Sequence, residues 1–128
     1  NRQKMAVLAN GGKLAITNYE VLKRFGDPLA PVISLVRCIL QTGRTHQIRV
    51  HMAHLGHPVV GDPVYGTGRG KRPGLTPELR ESITRLNRQA LHAASLGFVH
   101  PVTGRDIYLE SPLPTDLSEL IEILQRLS

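Results

Sequence analysis

The chain has 128 residues, and its 16 Lys+Arg against ten Asp+Glu give a net charge of +6. That size fits one domain or part of one, and the charge favours a polyanionic partner, nucleic acid before an anionic membrane surface. No apolar run approaches the length of a membrane span, no signal peptide is visible, and the lone Cys38 excludes an internal disulfide framework.

Residues 1 to 12 are basic and end in the turn signal Asn10-Gly11-Gly12. The opening Asn-Arg-Gln-Lys reads as the middle of something, so the chain is expected to be a fragment. Ala15 to Phe25 alternates apolar and polar residues, which predicts a strand with one wetter face. Gly26-Asp27-Pro28 should break it. Val32 to Gln41 predicts a second strand, paired antiparallel with the first across a short loop. Cys38 lies in this apolar run and is expected to pack in a core, as in a reducing cytoplasm. Aromatics are scarce, with two Phe, three Tyr and no Trp, so the core must be mostly Leu, Ile and Val.

The next stretch, Leu40 to Tyr65, organises the chain. It reads as a strand end, a tight turn at Gly43 and a short helix. Thr45 is the expected N-cap, Ile48, Met52 and Leu55 the expected buried face, and Gly56 the expected left-handed stop. Arg44, His46 and Arg49 then cluster at the helix entrance, where unpaired N–H groups and the helix dipole favour an anion. Guanidinium offers a bidentate fork to phosphate or carboxylate. Solvated charges on a surface helix are the plain alternative.

Residues 66 to 77 are rich in glycine, proline and positive charge, including Arg69, Lys71 and Arg72, and predict a mobile basic loop. Such a loop is either a solvated connection or an arm that folds onto RNA. Thr76-Pro77 should start a helix, with Leu79, Ile83 and Leu86 inward and Arg80 and Arg85 outward. Arg88 to His100 is small and apolar, which predicts a buried central strand, or a helix in its first half. Pro101 to Gly104 should turn, and Arg105 to Glu110 should return as a hairpin strand. Ser111 to Pro114 stops it. Asp116 to Leu127 closes the chain as an amphipathic helix, with Asp116 and Glu119 as a capping-box pair and Leu117, Leu120, Ile121, Leu124 and Leu127 as the stripe. The expected architecture is α+β, one domain over residues 1–128 with a mostly antiparallel sheet and packed helices.

Four histidines, His46, His51, His54 and His57, fall within twelve residues. No Cys or acidic residue sits nearby at ligand spacing, so no metal is expected. There is no Gly-x-Ser-x-Gly elbow, and a buried Cys38 is a poor nucleophile. Of the aspartates, Asp27, Asp106 and Asp116 fit turns or a cap. Asp62, between Gly61 and Pro63, reads first as a turn aspartate bonding its own backbone.

Gly43 to His51, Gly56 to Gly66, Arg88 to His92 and Phe98 to Pro101 together resemble the RluA-type RNA pseudouridine synthases, especially the RluD-like enzymes of large-subunit ribosomal RNA. The resemblance runs in order over most of the chain. It implies conversion of uridine to pseudouridine: the base–sugar bond breaks and the base rejoins through carbon, with no cofactor and no metal. The target base is flipped into a pocket. In that family a catalytic aspartate lies in a segment reading roughly Arg-Leu-Asp, followed by Thr-Ser-Gly. No such segment occurs between Asn1 and Ser128. The chain is therefore expected to be the C-terminal part of a catalytic domain, inactive alone, lacking both that aspartate and the tyrosine that stacks on the base. The resemblance assigns Arg44 as the partner of the aspartate. RNA contacts are expected from Arg44, Thr45, His46, Arg49, Arg69, Lys71, Arg72 and Arg88. The expected partner is large-subunit ribosomal RNA, with no membrane and no obligate protein partner. The alternatives are a non-catalytic basic RNA-binding module and an interaction domain that uses its charge only for solubility.

Overall fold

The structure is a computed structural model and describes residues 2–8, 14–66 and 74–127. The Asn10-Gly11-Gly12 turn and Arg69, Lys71 and Arg72 of the basic loop lie outside the described residues. Among the described residues, three strands, β1 (Arg2–Leu8), β2 (Leu14–Asp27) and β3 (Ala30–Leu40), form an antiparallel sheet in the order β1-β2-β3. Strand β1 was not anticipated, because its basic composition hides the pairing. It runs from Arg2 opposite Glu20 to Leu8 opposite Leu14.

Strand β2 is rich in β-branched and aromatic residues, which fit a pleated, half-buried surface. It extends past the expected break: Gly26 and Asp27 still pair with Pro31 and Ala30. The register shifts around Val21/Lys23 and Phe25/Gly26 absorb the irregularity. The Asp27 carboxylate accepts from the Leu29 N–H at 2.8 Å and closes the hairpin. Cys38 on β3 is half-buried rather than deep in a core, though burial still pushes its thiol pKa up.

Helices α1 (Gln47–His54), α2 (Pro77–Leu86) and α3 (Thr115–Gln125) complete the α+β fold. The Thr76 hydroxyl caps α2 by accepting from Leu79 N–H at 3.1 Å, with Pro77 at the first helical position. Leu79 and Leu86 of α2 meet Leu117, Leu120 and Leu124 of α3 and Phe25 of β2 in the principal core. Ile83, Ile121 and Leu127 pack around it.

The cap of α3 differs from expectation. Pro114 occupies the N-cap position and makes no side-chain cap bond. Asp116 already lies in the first turn, accepts from Leu117 N–H and takes Arg88 as an ion partner. Glu119 therefore has no capping box to complete.

The Arg88–His100 segment also differs. Its first half is neither strand nor helix, and β4 (Ser95–Val99) pairs only with β5 (Asp106–Glu110), in a separate two-stranded ribbon. All five residues of β4 are exposed. Small apolar residues suit a central strand, but a strand is buried only where a neighbouring layer covers it.

Candidate active-site wall

The site forms where β2 meets α1. A turn is tied twice between Arg44 and Gln47: Gln47 N–H donates to the Arg44 carbonyl at 3.1 Å, and Arg44 N–H donates to Gln47 Oε1 at 3.0 Å. His46 takes the N-cap position in the left-handed region, φ 51°. Thr45 is thus exposed and not the cap, and no side chain caps this helix. A non-glycine residue at such a φ is strained, a condition that persists only where the surroundings enforce it.

Gln47 does the enforcing. Its Nε2 donates to the Ile16 carbonyl at 2.8 Å and to Thr17 Oγ1 at 2.9 Å, while its Oε1 also accepts the Thr42 hydroxyl at 2.7 Å. The Thr42 oxygen accepts from Ile16 N–H at 2.8 Å. Thr17 Oγ1 lies 2.8 Å from His51 Nδ1. Gln47, Thr17 and His51 are thus joined in one buried chain of polar contacts. Burial, with His54 second, lowers the His51 pKa and so favours the neutral ring.

The buried residues of α1 are Gln47, Arg49, His51 and Met52. The expected stripe of Ile48, Met52 and Leu55 holds fully only for Met52; the other two are half-buried. Gly56 does end the helix, at φ +86°: its N–H donates to the Ala53 carbonyl and His57 N–H reaches back to the Met52 carbonyl, the paired bonds of a Schellman stop.

Arg49 points inward. Its Nε and Nη2 donate to the two oxygens of Asp62 at 2.8 and 2.9 Å, with side-chain exposures of 10% and 0%. Asp62 Oδ1 also accepts from Val64 and Tyr65 N–H, each at 3.0 Å. The turn reading of Asp62 was therefore correct but incomplete. The Arg49 guanidinium, foremost, holds its carboxyl well below the usual carboxylate range. Tyr65 finishes this cluster: Arg49 Cζ sits 5.1 Å from its ring centroid, and its hydroxyl lies 3.1 Å from His46 Nδ1.

The opposite wall comes from the Arg88 segment. Ala90 N–H donates to the Val60 carbonyl at 2.8 Å. Gly61, at φ +75°, lets the two backbones meet, since a Cβ there would lie 2.4 Å from the Arg88 carbonyl oxygen. Arg88 donates to both oxygens of Asp116 at 3.0 Å, and also to the Gln89 and Leu91 carbonyls. It braces this wall rather than facing the opening.

Between the walls is an open cavity of about 300 Å³, lined by Leu40, Arg44, His46, Arg49, Gln89 and Leu91 among others. Of the predicted residues it gathers Arg44, His46 and Arg49. The Arg44 side chain is exposed and has no hydrogen-bond or ion partner among the described residues. An unpaired guanidinium at a partly apolar cavity can hold a carboxylate deprotonated and fix its direction, or grip a phosphate. A larger depression of about 570 Å³ runs along the ribbon, where Glu110 is the only charged lining residue among the described ones. It is unsuited to a polyanion.

Sequence reasoning missed Gln47, Tyr65 and the pairing of Asp62 with Arg49. The signal was the position of Asp62 in a loop closed by Gly61 and Gly66, too tight to be a generic connection.

Residues 1–54 match the family model described as RNA pseudouridylate synthase. Ribosomal large subunit pseudouridine synthase D of Zymomonas mobilis is 44% identical over 125 residues, 97% of this chain and 36% of the relative. The synthase D of Pseudomonas aeruginosa is 48% identical over 126 residues, 98% of this chain and 37% of the relative. The solved structure of human RNA Pseudouridylate Synthase Domain Containing 1 aligns with a TM-score of 0.60 at 26% identity, covering 97% of this chain and 59% of that one. Over nearly its whole length the chain is similar to the RluA/RluD-like RNA pseudouridine synthases. It spans about a third of the length of the curated relatives it matches.

Proposed function

We propose that this chain forms one wall of the catalytic pocket of an RNA pseudouridine synthase acting on large-subunit ribosomal RNA in the cytoplasm. Arg44 receives and steadies a catalytic aspartate supplied by polypeptide outside these 128 residues. One observation carries the reading: among the described residues Arg44 is unpartnered at the cavity, whereas Arg49 and Arg88 are each matched by an acid. The chain's own aspartates support it. Asp27 closes a hairpin, Asp62 is held by Arg49, Asp116 is held by Arg88, and Asp106 begins the exposed ribbon. None is presented to the cavity.

The isomerisation breaks one base–sugar bond and forms another within the same nucleotide. Its balance needs no redox partner. The side chains then divide by task. Arg44, Thr45 and His46 are assigned to contact the RNA directly, as are Arg69, Lys71 and Arg72 on their charge alone, whereas Arg49 and Arg88 reach it only through the walls they brace.

The test uses the intact protein and large-subunit RNA transcripts, with released pseudouridine quantified by chromatography. Arg44→Ala is expected to lower the rate by at least about 100-fold, the usual cost of one preorganised charge-stabilising donor. Arg44→Lys should recover little, because ammonium lacks the fork. The isolated 128-residue chain should yield no pseudouridine. A near-native rate for Arg44→Ala would remove Arg44 from the mechanism.

A further inference from the structure

The cluster under His46 has no role in the reading so far. Its parts form a strut. At the buried end, Asp62 pins Arg49 and the Tyr65 backbone. In the middle, the Tyr65 ring lies under the Arg49 guanidinium. At the outer end, the Tyr65 hydroxyl meets His46 Nδ1, and the two rings stand edge to face at 79° with centroids 5.9 Å apart. His46 itself is exposed, lines the cavity with Arg44 and keeps a strained backbone.

The geometry points to Tyr65 as a positioning residue that fixes His46 so that its Nε2–H donates to a phosphate oxygen of the RNA at the cavity mouth. This rests on the cavity being the RNA site proposed above. The phenol hydrogen has one acceptor among the described residues, His46 Nδ1. With Nδ1 accepting, the neutral imidazole carries its proton on Nε2, the atom left without a partner among the described residues. A neutral donor beside the Arg44 charge suits a phosphate oxygen, which accepts from both. The buried Asp62–Arg49 pair has a reason in this arrangement: it anchors the far end of the ring, so that the hydroxyl's position is set by packing rather than by a free rotamer.

Tyr65→Phe in the intact protein removes only the hydroxyl and leaves the ring beneath Arg49. It should raise KM for RNA about five- to tenfold, the usual weight of one hydrogen bond to a polar partner, with kcat little changed. His46→Ala should raise KM by at least as much. The double variant should be no worse than His46→Ala alone, because the hydroxyl acts only through the imidazole. Nitrogen-15 spectra of the histidine rings provide a readout that a merely structural tyrosine would leave unmoved. His46 should show one tautomer in the native protein and a mixture in Tyr65→Phe, at an unchanged melting temperature. Additive effects in the double variant, or native KM for His46→Ala, would overturn the inference. Arg44→Ala is the control: if it is inactive while the cycle is additive, only the role of Tyr65 fails. If Arg44→Ala is fully active, the reading of the cavity fails first.

Discussion

Helices α2 and α3 bury Leu79, Leu86, Leu117, Leu120 and Leu124 around Phe25 of β2. Helix α1, packed on the same strand, buries Gln47, Arg49 and His51 beside a single Met52. The difference is one of directionality. Apolar burial is nearly indifferent to angle, so the leucine pair tolerates small shifts and supplies stability. The contacts of α1 are hydrogen bonds with specific donors and acceptors. They hold Gln47 at four points and Asp62 at four. Such a shell is costly to leave half-satisfied, but it fixes where Arg44 and His46 stand.

The difference breaks most sharply at Asp62. Replacing it by Ala removes a fully buried acceptor of two guanidinium and two backbone N–H groups. The expected loss is about 3 kcal/mol or more in denaturant unfolding of the intact protein. At a temperature where the variant remains folded, pseudouridine formation per folded molecule should also fall, because the strut under His46 has lost its anchor. Leu79→Ala is the counterpart on the leucine side. Leu79 is fully buried, so about 3 kcal/mol should be lost to the cavity it leaves. Here activity per folded molecule should stay native. If Leu79→Ala also impairs the folded enzyme, or Asp62→Ala does not, the division between a supporting core and a positioning shell is wrong.

The same division explains what the sequence made legible. The leucine stripes of α2 and α3 repeat at helical spacing, and the Thr76-Pro77 start follows cap chemistry, so both helices were readable in outline. The hairpin of β2 and β3 was readable from alternation around Gly26-Asp27-Pro28. Helix α1 was placed by Gly43 and Gly56, but its buried face was misread. Periodicity counts Ile48 and Leu55 and gives no credit to Gln47 or His51, whose partners Ile16 and Thr17 lie some thirty residues away. The bond between Arg49 and Asp62 was hidden for the same reason: each residue had a sufficient local explanation, and only the tertiary path joins them. In β4 the error ran the other way. Apolar composition suggested burial, but Leu96 and Val99 remain 60% and 62% exposed.

The smallest expected effect uses pH to separate the two regions without a mutation. Burial holds the His51 pKa below its ordinary value, so the unfolded chain binds a proton there more readily than the folded one. The stabilisation is complete above the unfolded value, near 6.5, and is lost as pH falls through the lower folded value. Protonation makes both ring nitrogens donors and puts a charge in the buried contact chain that runs through the Thr17 hydroxyl to Gln47. Asp62 is also depressed, well below the usual carboxylate range, so its stabilisation survives to a lower pH. Between neutrality and about pH 5, where the ordinary histidine range is crossed, His51 is therefore the group that loosens α1. Amide exchange measured across that interval, corrected for the intrinsic rate at each pH, should show α1 losing protection while the leucine-packed turns of α2 and α3 keep theirs. Equal loss in all three helices would mean that α1 and the leucine core open together, and that the polar shell is no separate unit.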